Sequence, residues 1–146
     1  MPRINAAGLA LIESFEGERL RAYPDPGTGG APWTIGYGHT VDVHPGDVIT
    51  HAQALSFLAD DVRSSEYHVS MRTAVILTPN QFSALVSFDY NTGAYVSCSP
   101  IVNCINERDW VGAMEHLSLY VYAGGQVMEG LVRRRAAEKA LFEEAQ

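Results

Sequence analysis

The sequence predicts an α+β fold, mostly helical, with a small N-terminal β-hairpin lobe and a helical C-terminal lobe joined by a long helix. Three observations carry this. Apolar residues recur at helical spacing over most of the chain, and the helix starts are marked by capping residues. A single stretch, Tyr23 to Ile49, is instead dense in proline and glycine and contains the alternating run WTIGYGHTVDV. A long helical pattern with a capping signal comes directly after that stretch.

In chain order, Asn5 reads as an N-cap, and Ala6, Leu9, Leu11, Ile12 and Phe15 then form a stripe that ends near Gly17. The hairpin region is next. Thr50 and Gln53 form a capping box before a helix whose stripe is Leu55, Leu58, Val62 and Val69, with Phe57 beside it. Thr78, Pro79 and Gln81 mark the next helix, which Asn91-Thr92-Gly93 ends. Shorter helices are expected over Pro100–Asn106 and Asp109–Leu117, and a break falls at Gly124 and Gly125. A last helix is expected from about Glu129 to Glu144, with Leu131, Val132, Ala136, Ala140 and Leu141 facing inward.

At 146 residues with 47% apolar and 18% charged residues, the chain can build a core and reads as one domain. Within it a β-rich lobe over about residues 18–50 and a helical lobe over about 70–146 plus the N-terminal helix are expected. A net charge of −7 argues against nucleic acid as a partner. No signal peptide and no membrane-spanning run are expected, so the chain reads as soluble and made in the cytoplasm; a monomer is expected. Cys98 and Cys104 are too few for a disulfide scaffold and lack zinc-site spacing, which favours free thiols over one bridge.

The chemistry centres on residues 15–40. Cleaving a glycosidic bond takes a protonated carboxyl for the leaving oxygen and a second group for a water or the sugar. Glu16, at the end of an apolar helix, suits the acid, because partial burial favours the protonated form. Asp25, in a hydrated Pro/Gly loop, suits a water-activating base, and the Thr34 hydroxyl could orient the same water. Other roles stand beside these: Glu13, Glu16 and Glu18 suit a solvated helix face, Asp25 a turn, and Thr34 any strand.

The motifs FEG-x5-Y-x-D and WTIGYGHT, followed by LTPNQFSALVSFDYNTG and AGGQVMEGLVRRRAAEKALF, cover essentially the whole chain. In that order they resemble the signature of the phage-type lysozymes, the endolysins of glycoside hydrolase family 24. The resemblance implies a lysozyme-like fold and a Glu-Asp-Thr triad, with Glu16 as general acid, Asp25 as water-positioning base and Thr34 as its partner. It implies peptidoglycan as substrate, cut between N-acetylmuramic acid and N-acetylglucosamine with inversion, on the periplasmic side after a separate holin opens the way. No cofactor or metal is implied. Eight residues separate Glu16 from Asp25, as in the family, but PGTGGAPW puts eight between Asp25 and Thr34 where the family usually has five. The added residues are expected to lengthen the loop and leave its ends in place, with Thr28 a weak substitute.

Further expectations concern side chains around that triad. Arg133, Arg134 and Arg135 lie about 100° apart on a helix, so they cannot share a face. The resemblance implies that one of them, Arg134 or Arg133, pairs with Glu16, while a solvated basic face or a lobe-to-lobe ion pair is the other reading. Tyr37, Tyr90 and Asn91 are candidates for lining a sugar cleft, with Tyr120 and Tyr122 open in the same way. His39 reads as a hydrogen-bonded structural residue. The cluster His39, Asp42, His44 and Asp47 does not have the geometry of a metal site, since 39 and 42 point to opposite faces of a strand. A lytic transglycosylase and a non-catalytic wall-binding module are the competing functions.

Overall fold

Side-chain caps set several helix starts in this chain, and the expected caps form. In the computed structural model, which describes residues 1–144, the Asn5 carboxamide accepts the Gly8 N–H at 2.9 Å ahead of α1 (Ala6–Glu16). Thr50 and Gln53 exchange the two bonds of a capping box (3.1 and 2.8 Å) ahead of α2 (His51–Arg72). Thr78 and Gln81 do the same for α3 (Pro79–Thr92), which ends at the left-handed Gly93. Then come α4 (Ser99–Asn106), α5 (Trp110–Leu117), capped by Asp109 onto the Gly112 N–H, and α6 (Glu129–Glu143).

Two small antiparallel sheets complete the described residues. β1 (Arg19–Tyr23) pairs with β2 (Thr34–Gly36), with Arg19 opposite Gly36 and Tyr23 opposite Thr34 around a register irregularity. β3 (Tyr122–Ala123) pairs with β4 (Gln126–Val127) across Gly124-Gly125. Both glycines have positive φ (59° and 78°), as a two-residue hairpin turn requires. The break expected at this glycine pair is therefore a hairpin. The strand content of WTIGYGHTVDV is shorter than its alternation suggests: only Thr34–Gly36 and the Ile35–His39 bridge pair.

The chain divides into two compact units, Glu13–Arg63 and Met1–Ile12 with Ser64–Gln146. The first holds both strands of the β1–β2 sheet and is built on Ile35, Tyr37, Ala54, Leu58 and Val62. His39 stacks on Phe57 at 4.1 Å between ring centroids, and its Nδ1 lies 2.8 Å from Asp61 Oδ2. This histidine is the hydrogen-bonded structural residue the sequence suggested.

The second unit packs α3 against α6 and α4 against α5 around Leu85, Phe88, Ile101, Ile105, Met114 and Leu117. Burying each such side chain contributes about 1.5–3 kcal/mol. The N-terminal segment is tied down by Glu66, which is 1% exposed and accepts the Ile4 N–H at 2.7 Å. His68 and Asp89 pair at 2.8 Å in the same unit.

Two expected apolar faces differ from those observed. On α2, Leu58, Val62 and Val69 are buried but Leu55 is exposed, and Ala54 takes the inward place. On α6, Val132, Ala136 and Ala140 are exposed, Leu131 is half-buried, and the buried face is Arg134, Arg135, Glu138, Leu141 and Phe142. Mutual charge neutralisation allows that face to be ionic. A polar pattern is no bar to burial when the charges pair with one another.

Candidate active site

Glu16, Asp25 and Thr34 all belong to the unit Glu13–Arg63. Glu16 is the last residue of α1 and is half-buried. Gly17 comes next at φ 72°, a left-handed conformation that only glycine adopts without strain, and its N–H closes on the Glu13 carbonyl at 3.1 Å. The turn leads directly into β1.

Asp25 lies two residues beyond the end of β1, half-buried, in a loop that closes on itself. Its N–H donates to the Gly30 carbonyl (2.9 Å), and its own carbonyl accepts from Gly29 (2.8 Å). The carboxylate Oδ2 accepts the Thr28 N–H at 3.1 Å. The Thr28 hydroxyl donates to the Ala31 carbonyl at 3.1 Å, so Thr28 is engaged within the loop itself. Residues 25–30 thus form a local turn whose base is Asp25 and Gly30.

Thr34 opens β2 directly opposite Tyr23. Directly opposed residues have Cα atoms about 4.5–5.5 Å apart, so Thr34 stands beside the strand end that leads into the Asp25 loop.

Behind these residues is a network that motif reading did not find. Glu18 Oε2 accepts the Tyr37 hydroxyl at 3.0 Å and is bonded by Nδ1 of His51, the first residue of α2. The His51 bond is the main influence holding the Glu18 carboxyl below its ordinary range. Burial, and then the Glu18 carboxylate, push the Tyr37 hydroxyl up to about 12. Tyr37 is only 6% exposed. The signal available in the sequence was the second glutamate of FEGE, but its partners lie 19 and 33 residues away.

The other singled-out residues lie in the second unit. Asn91, half-buried at the end of α3, accepts Arg135 Nη2 on Oδ1 at 2.7 Å. With Thr92, Ala94, Tyr120 and Tyr122 it lines a pocket of about 480 Å³. Tyr90 beside it is half-buried.

The three arginines of α6 differ in environment. Arg133 faces outward near Glu129 (4.0 Å), while Arg134 and Arg135 are 3% and 1% exposed and converge on Glu138. Glu138 Oε2 accepts the Ser87 hydroxyl at 2.6 Å and lies 3.3 Å from both Arg134 Nε and Arg135 Nη2. Burial pushes the Glu138 carboxyl up, against the pull of the two guanidiniums. The spacing Arg-Arg-x-x-Glu at i,i+3 and i,i+4 was the legible sign of this cluster.

Cys98 and Cys104 are free thiols, buried and half-buried. The Tyr120 hydroxyl donates to Cys98 Sγ at 3.0 Å. Among the described residues no group of three His, Cys, Asp or Glu side chains is placed to hold a metal ion. No helix of those residues is long and apolar enough to cross a membrane.

Comparison with known proteins bears on this arrangement. The phage lysozyme family model matches residues 13–138. The endolysin of Bacillus phage PZA is 45% identical over 96% of this chain, which spans 55% of that longer protein. The endolysin of Acyrthosiphon pisum secondary endosymbiont phage 1 is 38% identical, with 97% of this chain and 99% of the relative aligned. Among solved structures, the muramidase domain of SpmX from Asticaccaulis excentricus superposes with a TM-score of 0.89 at 35% identity, covering 99% of this chain and 100% of that one. The endolysin from Escherichia coli O157:H7 phage FAHEc1 gives 0.86 at 32%, covering 97% and 94%. The α+β architecture of six helices and two small sheets among the described residues is the lysozyme-like fold, and the chain belongs to the phage lysozyme family of glycoside hydrolases.

Proposed function

We propose that the chain is a muramidase that hydrolyses the β-1,4 bond between N-acetylmuramic acid and N-acetylglucosamine in bacterial peptidoglycan, and so lyses a host cell. Glu16 is the general acid and Asp25 the base, with Thr34 helping to hold the water. The observation that supports the reading is the Tyr23–Thr34 pairing, which sets Thr34 opposite the strand residue two before Asp25. Glu16 is contributed to the same unit by the end of α1.

In this reaction Glu16 gives its proton to the leaving glycosidic oxygen as the C–O bond breaks. Asp25 takes a proton from water, and the resulting hydroxide bonds to the anomeric carbon from the opposite face, inverting it. Inversion requires carboxyl groups about 6.5–9.5 Å apart, leaving room for that water. Among the described residues the loop engages Oδ2 of Asp25, so Oδ1 is the oxygen assigned to the water. Synthesis in the cytoplasm, release through a separate pore-forming protein and action on periplasmic peptidoglycan complete the proposal.

Mass spectrometry of digested, purified peptidoglycan tests it. New reducing N-acetylmuramic acid ends are expected. Ends in the 1,6-anhydro form would mean a lytic transglycosylase, which needs no water-activating base. Binding to the wall with no cleavage would mean a non-catalytic binding module. Either result overturns the reading.

A further inference from the structure

We propose that Glu18 is a positioning residue for the acid Glu16, locking the turn after α1 through hydrogen bonds to Tyr37 and His51. The inference rests on the reading of Glu16 given above and adds to it a requirement outside the triad.

Glu16 ends its helix, and a single left-handed glycine separates it from Glu18. Gly17 has open space around the position a Cβ would take, and its N–H closes the turn on the Glu13 carbonyl at 3.1 Å. The side chain of Glu18 adds a tie from beyond the turn. Its carboxylate is bonded by two groups from separate parts of the unit. Tyr37 sits in the tight turn after β2, which is closed by reciprocal Ile35–His39 backbone bonds of 2.9 Å each. His51 is the first residue of α2, whose start is fixed by the Thr50–Gln53 capping box. Arg19, next along the chain, begins the strand pairing opposite Gly36. Glu18 is thus clamped at the point where the chain leaves the acid, by two anchors that are themselves fixed.

An ordinary surface ion pair between Glu18 and His51 would contribute little to stability, and the His51 side chain is 62% exposed. The hydroxyl of a buried tyrosine aimed at the same carboxylate oxygen is a different matter. It directs a hydrogen bond from the core to orient a residue near the surface. Such an arrangement serves geometry rather than burial. The reacting carboxyl must be held closely, because a misplacement of about 1 Å costs on the order of a hundredfold in rate.

The test uses the full chain on solubilised glycan strands, with wild type and Glu16→Gln run alongside. Glu18→Ala is expected to lower kcat about tenfold or more with KM changed less than about twofold and Tm less than about 3 °C. Adding Tyr37→Phe to Glu18→Ala is expected to lower the rate no further, since both act through one bond. Glu18→Gln keeps an acceptor oxygen and is expected to restore part of the rate. A Glu18→Ala rate equal to wild type overturns the proposal, and so does a loss that only tracks a fall in Tm, or full additivity of the two substitutions. If wild type itself releases no reducing ends, the muramidase reading fails and this proposal with it. If wild type is active, Glu16→Gln is dead and Glu18→Ala is unimpaired, only the positioning role falls.

Discussion

Replacing Glu138 by alanine removes a carboxylate on which two buried guanidinium groups converge. Arg134 and Arg135 are 3% and 1% exposed, and Glu138 is fully buried. Its loss deletes the 2.7 Å contact between Arg135 Nε and Oε1, the 3.3 Å contacts to Oε2 and the 2.6 Å bond from Ser87. Breaking a buried ion pair from one side costs about 3–5 kcal/mol, because the cations stay buried without that counter-charge. This is a large part of the roughly 5–15 kcal/mol that holds a domain together. With about 2.1 cal/mol/K of unfolding entropy per residue, the loss corresponds to a Tm decrease of roughly 10–15 °C.

Scanning calorimetry reads this directly. Desolvation is the largest influence on both partners, raising Glu138 and lowering Arg135. The combined Arg135→Met/Glu138→Leu variant should therefore lie closer to wild type than Glu138→Leu alone. A Glu138→Ala shift below about 3 °C would refute the reasoning, since it would mean that α6 does not depend on this carboxylate.

Two further predictions concern titration and the triad. Tyr37 and Tyr120 are pushed up to about 12, Tyr37 chiefly by burial and Tyr120 chiefly by its bond to Cys98. Absorbance at 295 nm should then show at least two of the seven tyrosines still protonated near pH 11. Because these folded values exceed the unfolded one, their stabilising contribution is complete below about pH 10 and is lost as pH rises through 12. Urea unfolding at pH 9 and pH 11 should show a loss at the higher pH that is smaller in Tyr37→Phe. Simultaneous ionisation of all seven tyrosines near pH 10 would contradict it. Within the triad, Asp25→Asn is expected to cost about a hundredfold or more in kcat and Thr34→Ala roughly tenfold, measured as release of reducing ends. An unchanged Thr34→Ala rate would mean that the hydroxyl does not reach the water.

The parts of the fold that were legible in the sequence are those decided locally. Asn5, Thr50 with Gln53, and Thr78 with Gln81 cap helices through bonds spanning three residues, so their meaning survives in any tertiary setting. β1 was not legible, because the alternation of RLRAY spans only four residues and its extended form depends on pairing with a later strand. β3 and β4 have two residues each, too few to carry a pattern.

The inward face of α6 was misread for a different reason. Counting apolar residues favours Val132, Ala136 and Ala140, whereas the helix buries Arg134, Arg135 and Glu138 because they neutralise one another. At the candidate site, Glu16 and Asp25 stand out through the family resemblance that the motif FEG-x5-Y-x-D carries, not through their residue types. The Glu18 network depends on Tyr37 and His51, which only the fold brings to it.

The measurement that reaches the central claim most directly is the rate at which wild type and Glu16→Gln release reducing N-acetylmuramic acid ends from purified peptidoglycan, with both proteins matched in Tm. Loss of a general acid removes about 10²–10⁴-fold of rate, so the variant should be at least a hundredfold slower with its fold intact. A Glu16→Gln protein that cleaves within tenfold of wild type would contradict the assignment of Glu16 as the acid.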